Sequence, residues 1–171
     1  GGRFDRDPGS GRLTGRAAET AQGLIEQKLP SGLTRSERRE GVKLIAKMMT
    51  RAGVTSAHDA YGSPEALVAY QDARDAGELS LRVYCLLGAQ HLDRMLAAGV
   101  RTGLGDEWVR VGAVKMTCDG SISERTARLS QPYVGRPDDR GILVTPEPQL
   151  YETLRKAHEA GWQLCVHCNG D

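Results

Sequence analysis

No stretch of this sequence approaches the roughly 18 consecutive apolar residues needed to span a bilayer, so a membrane-spanning reading is excluded and no membrane partner is expected. A secretory leader is missing too: the chain opens GGRFDRDPGSGRLTG, which does not read as a natural N-terminus and says little about targeting. Charge of one sign is not segregated. Net charge is +1, and the densest basic cluster, TRSERRE at 34–40, carries its own glutamates and reads as the wet face of a helix, so no nucleic-acid partner is expected. The four cysteines do not make a disulfide framework; three fall on predicted strands and read as reduced core thiols, which points to a cytoplasmic setting. Neither GxGxxG nor GxxxxGK[ST] nor GxSxG follows any strand, which weighs against nucleotide binding and a serine hydrolase.

What is present is an ordinary globular composition, 39% hydrophobic and 26% charged, over 171 residues: one domain, or part of a larger one. Residues 1–16 read as an irregular loop with a turn at Asp7, Pro8 and Gly9. Ala17 to Leu29 has helix-forming composition and ends at Pro30. A second helix fits Thr34 to Arg51, capped by Thr34 or Ser36, with Val42, Ile45, Met49 and Ala52 at helical spacing and Gly53 closing it. A strand-then-helix pattern follows. The strands are 53–60, 80–88, 108–118 and 162–168; Ser63 and Pro64 open one helix, Gln90 to Ala98 forms another, and Thr145 and Pro146 start a third that runs to Ala160.

Strand starts near 54, 81, 109 and 162 are about 27, 28 and 53 residues apart, and the first two steps match a βαβ unit. The class is therefore α/β with a parallel sheet, either doubly wound or a piece of a (β/α)8 barrel, and the missing nucleotide motifs favour the barrel. In both, functional groups collect at the carboxyl ends of the strands, which here carry His58 and Asp59, Lys115 to Ser121, and His167 to Asp171. The loop from Asp119 to Thr145 is long for one without regular structure, as functional loops often are.

Strict alternation along WVRVGAVKMTC puts Val111, Ala113, Lys115 and Thr117 on one face and Gly112, Val114, Met116 and Cys118 on the other, so Lys115 is expected inside a buried strand. Its bland reading is an edge lysine snorkelling to water. The sharper one is an amine kept neutral by burial, able to add carbon dioxide and become a carbamate that bridges divalent metals. His167 shares a face with Gln163, Cys165 and Asn169 and is either a hydrogen-bonded structural residue or a ligand. Cys165 and Cys168 form a CxxC without the second ligand pair that a structural zinc site needs, so core packing is the default. His58 and Asp59 point to opposite faces: one reaches the site, the other orders the turn. His91 and His158 are expected at the surface, and Arg125 in DGSISERTA is a possible two-point clamp for a substrate carboxylate.

Four stretches together resemble the amidohydrolase superfamily, in its amidohydrolase family 3 branch that includes N-substituted formamide deformylase. They are RDPGSGRLTGRAAETA at 6–21, GVTSAHDA at 53–60, GAVKMTCDGSISERTARLSQPY at 112–133 and GWQLCVHCNGD at 161–171. The resemblance implies a metal-dependent hydrolase of amide-like C–N bonds on a (β/α)8 barrel of which 1–171 is an incomplete domain, roughly strands two to five. It implies catalytic and metal-binding roles for Lys115, as the fourth-strand lysine that carries a carbamate, and for His167, as the fifth-strand histidine. Asp119, Gly120, Ser121, Arg125 and Thr126 match the loop after strand four, with Asp119, Ser121 and Arg125 as substrate-binding candidates; Thr14, Gly15 and Glu19 match a segment of unassigned role. One or two divalent ions, zinc foremost, and carbon dioxide are the implied cofactors, and a small amide-like molecule the implied substrate. The first-strand HxH, sixth-strand histidine and eighth-strand aspartate of the superfamily have no counterpart, so the expectation is a fragment that meets the rest of its barrel or self-associates. The alternatives are a barrel-derived binding domain without catalysis and an inactive truncated product.

Overall fold

Side-chain chemistry local to the helix start places two of the helices. In the computed structural model, which describes residues 1–29 and 32–171, Thr34 caps α2 (Arg35–Arg51) in a full capping box with Glu37. Ser63 caps α3 (Pro64–Asp75) by accepting from the Ala66 N–H, with Pro64 in the first turn. The expected order of elements follows: β3 (Ser56–Gly62), β4 (Arg82–Gly88), a short 3₁₀ turn (Ala89–His91) leading into α4 (Leu92–Ala97), β5 (Val109–Thr117), α5 (Glu147–Glu159) and β6 (Leu164–His167). No helix among the described residues is long and apolar enough to cross a membrane.

The four strands form one sheet in the order β3-β4-β5-β6, and β3–β4 and β4–β5 pair parallel. Val114 N–H donates to Gln163 O at 2.9 Å and Cys118 N–H to His167 O at 2.8 Å; donor and acceptor both advance by four residues, as parallel strands require. Each strand joins beside its predecessor. That sequential order has no reversal, and hence no switch point of the doubly wound kind.

The chain divides into two compact units, one of 32–116 and 153–165, the other of the described residues among 1–31 with 117–152 and 166–171. In the first unit Val83, Cys85 and Leu87 of β4 pack with Val109, Val111 and Val114 of β5, and with Ala46, Ala73, Leu92, Met95, Ala157 and Trp162 from the helical side. The expected alternation of β5 fails at its centre. Cys85 pairs with Val111 but Leu87 with Val114, so β5 carries one extra residue at Gly112–Ala113. This bulge lets Val111 and Val114 both face the helices, and it leaves Lys115 on the face opposite them. Lys115 is half-buried rather than buried.

The second unit corrects the reading of the N-terminus. Residues 1–16 are not an irregular loop: β1 (Gly2–Arg6) pairs antiparallel with β2 (Leu13–Glu19) around a turn in which Asp7 Oδ1 accepts from Ser10 N–H and Oγ. The expected helix from Ala17 begins only at Ala21 and is short, α1 (Ala21–Glu26); its proposed stop at Pro30 lies outside the described residues. Ala17 and Ala18 favour helix in isolation, but pairing with Phe4 and Arg3 overrides that preference.

Arg3 anchors the hairpin with a two-pronged ion pair to Asp139, at 3.0 and 3.1 Å. The Arg3 guanidinium, against the opposing effect of burial, holds the Asp139 carboxyl down at about 2, below its ordinary 3.8. A folded value below the unfolded one means that the pair contributes fully above about pH 4 and loses its contribution as pH falls through about 2. Allowing for partial exposure, that contribution is about 1–2 kcal/mol. Asp139→Asn is therefore expected to flatten the stability profile across this acid window; a profile parallel to wild type in urea melts would rule out the pair as its source.

Candidate functional site

β5 ends at Thr117 and the chain runs into Asp119 and Gly120, both buried. Asp119, 1% exposed, spends its two oxygens on backbone amides: Oδ1 accepts from Asn169 N–H at 2.9 Å, and Oδ2 from Arg128 N–H at 2.8 Å and Gly170 N–H at 2.7 Å. With three of its acceptor sites on backbone amides, Asp119 is a positioning residue that fastens the segment after β6 to the long loop.

His167, the last residue of β6, places Nε2 2.8 Å from Gly120 O. A carbonyl only accepts, so Nε2 is the donor in this contact, which leaves Nδ1 as the lone-pair nitrogen of the neutral ring. Asn169 Nδ2 donates to the same carbonyl at 3.2 Å and lies 3.2 Å from Nε2. Gly120 has no room for a side chain: a Cβ would overlap the buried Thr126 side chain and come within 2.5 Å of Glu19 Oε1. Glu19, in the left-handed region at φ 53°, therefore brings the otherwise unassigned segment of β2 against Gly120.

Ser121 serves its own turn. Its N–H donates to Thr126 Oγ1 at 2.9 Å, and its hydroxyl accepts from Glu124 N–H at 3.3 Å. Arg125 is exposed at φ 55°, and among the described residues no hydrogen bond or ion pair holds its guanidinium. Hydrogen bonds join Asp119, Gly120, His167 and Asn169 into one network, Thr126 packs against Gly120, and Arg125 lies outside. Lys115 lies in the other unit, paired with Gly88 of β4, and no hydrogen bond or ion pair among the described residues reaches its amine.

His58 and Asp59 point to opposite faces, but β3 runs on to Gly62, so neither stands at the strand's carboxyl end where the sequence reading put them. Asp59 accepts from Tyr70 O–H at 2.8 Å and from Tyr61 N–H at 3.3 Å, so it orders the last residues of β3; burial and then this bond push the Tyr70 hydroxyl upward. His58 lies on the opposite face, its ring 5.0 Å from that of Tyr84. Those two rings line an open cleft of about 530 Å³ with Arg82, Arg110 and Gln163. The cleft is built on the first residues of β4 and β5, the wrong end of a parallel sheet for chemistry.

The cysteines separate as well. Burial pushes the Cys85 thiol up to about 12, as suits a core residue. All four cysteines are free thiols, and the neighbour that, after burial, raises the Cys118 thiol is Cys168, a relation across 50 positions that sequence spacing does not reveal. Among the described residues no group of three or more His, Cys, Asp and Glu side chains is arranged to hold a metal.

Comparison with known proteins places this geometry. The chain is similar to YtcJ of Bacillus subtilis, named provisionally as an amidohydrolase, with 30% identity over 167 residues, 95% of this chain and 31% of the relative. It is 26% identical, over its whole length, to LONG AFTER FAR-RED 3 of Arabidopsis thaliana, of which it covers 31%. Crystal structures of two uncharacterized metal-dependent hydrolases superpose on 98% of the chain, from Pyrococcus horikoshii (TM-score 0.74, 26% identity, 34% of that chain) and Pyrococcus furiosus (TM-score 0.75, 27% identity, 35% of that chain). The chain spans about a third of the length of each. The sequence model of the amidohydrolase family matches residues 1–171, and the chain belongs to that family.

Proposed function

We propose that this chain is a run of a (β/α)8 barrel, roughly strands two to five, in a longer metal-dependent hydrolase that cleaves C–N bonds of amide-like, non-peptide substrates. Within the family we assign it to the branch of N-substituted formamide deformylase. Support comes from the family membership, from the likeness to metal-dependent hydrolases, and from a sheet in which each parallel strand joins beside the last.

The observation that carries the reading is the 2.8 Å approach of His167 Nε2 to Gly120 O at the end of β6. With Nε2–H committed to Gly120 O at 2.8 Å, Nδ1 is a ready donor to a divalent ion, oriented by the kind of outer hydrogen bond that metal-binding histidines use. Lys115 is the second proposed donor, as a carbamate formed when its unpartnered amine adds carbon dioxide. Each of the two is by its chemistry a donor a divalent ion accepts, and we assign the remaining donors to the rest of the longer protein. A bound ion, with zinc the expected one, supplies Lewis acidity toward the substrate carbonyl and acidifies water. The chain's own contribution is to hold its donors still: Gly120 O keeps the imidazole proton on Nε2, and Asp119 fixes the Asn169 and Gly170 backbone beside it. Ser121 and Arg125 are proposed to face the substrate. A cytoplasmic setting, and contact of the two sheet edges, β3 and β6, with the remainder of the barrel or a second copy, belong to the same reading.

The intact protein, reconstituted with zinc and bicarbonate, tests the assignment. Lys115→Ala and His167→Ala are each expected to lower bound zinc and hydrolysis of an N-substituted formamide at least about tenfold. Unchanged metal content and rate in either variant would remove that residue from the site.

A further inference from the structure

We propose that Cys118 and Cys168 are a reactive dithiol, oxidised by a small-molecule disulfide to an intramolecular cross-link between the carboxyl ends of β5 and β6. The geometry comes from the backbone. Cys118 N–H donates to His167 O at 2.8 Å, and in a parallel ladder the residue whose N–H meets the carbonyl of one residue lies opposite the next, here Cys168. Opposed residues on neighbouring strands stand about 4.8 Å apart, inside the span of about 4.4–6.8 Å that disulfides accept between Cα atoms. Burial first, and then the neighbouring Cys168 thiol, raise the Cys118 thiol above its ordinary value, as thiols within reach of each other do.

Access differs in a useful way. Cys168 is exposed and Cys118 partly buried, so the first reaction falls on Cys168 and the second is internal. Cys85 is buried, and Cys165 sits three residues back along the strand from Cys168, about 10 Å away and beyond disulfide reach. In the first step the Cys168 sulfur attacks one sulfur of the small disulfide; that S–S bond breaks, and the departing thiolate takes up a proton equivalent to the one Cys168 released. In the second, the Cys118 sulfur attacks Cys168 and expels the remaining small thiol, which takes the second proton. Two protein thiols are oxidised and one small disulfide is reduced to two thiols, with no further reactant. The new bond ties together the residues that flank Asp119 and His167, and nothing in it depends on the hydrolase assignment.

The probe is oxidised glutathione, applied to the native 171-residue chain. We expect the intact mass to fall by two hydrogens, and a non-reducing peptide map to join the Cys118 peptide to the Cys168 peptide. Cys168→Ser should abolish the cross-link, and Cys118→Ser should leave a persistent glutathione adduct on Cys168. The cross-linked chain should melt about 10 °C higher, because the bond closes a loop of about 50 residues. A wild-type chain that stops at the Cys168 adduct, or that joins Cys165 to Cys168, overturns the proposal. So does a native chain whose pairings match the mixture formed in denaturant.

Discussion

Asp119→Ala should unfold at markedly lower urea than the wild-type chain, with a loss of about 3–5 kcal/mol, the largest effect expected of any single substitution here. The reason is the number of groups that depend on one carboxylate. Its oxygens are the acceptors for the N–H groups of Arg128, Asn169 and Gly170, and Asp119 itself is only 1% exposed. Truncation to alanine leaves three part-buried donors without their acceptor and opens a void. Asp119→Asn separates charge from shape. Its single remaining oxygen serves the Arg128 and Gly170 amides, while its NH₂ group confronts the Asn169 N–H, so a smaller loss of about 1–2 kcal/mol is expected, with faster hydrogen exchange at Asn169. If the alanine variant melts within 1 kcal/mol of wild type, roughly the worth of one ordinary hydrogen bond, Asp119 does not hold the two segments together.

The same residue shows where sequence reading stops. DGS beside a strand end marked Asp119 as a candidate, but its hydrogen-bond partners come from positions 128, 169 and 170, which no local pattern links to 119. What was legible was local: the Thr34 capping box, Ser63 followed by Pro64, and apolar strands alternating with helices all act within a few residues. The N-terminal hairpin was not. Apart from Thr14 its strands carry no β-branched residue, and Arg3 finds its partner 136 positions away. Cys165 and Cys168 drew attention by their spacing, whereas the thiol that meets Cys168 belongs to Cys118. Alternation along β5 assumed no inserted residue; one extra residue reverses the face of everything after it.

That inserted residue has a consequence of its own size. Gly112→Ala is expected to cost about 2–3 kcal/mol, although the change is one methyl group on a strand. A Cβ at Gly112 would lie 2.6 and 2.8 Å from Cε1 and Cδ1 of Tyr84, and 3.1 Å from the backbone oxygen of Cys85. The tyrosine cannot simply swing aside, because its hydroxyl donates to Gln163 Oε1 at 2.7 Å and its ring lies against His58. Relief needs either the loss of that hydrogen bond or a shift of β5 at the bulge that turns Lys115 away from the helices. A double-mutant cycle with Tyr84→Ala distinguishes this crowding from an intrinsic cost of alanine at a bulge. With the ring gone the methyl group meets little, so the Gly112→Ala penalty should shrink by at least about 1 kcal/mol in the Tyr84→Ala background. Strict additivity of the two losses would mean that Tyr84 does not crowd Gly112, and that some other feature of the strand requires the glycine.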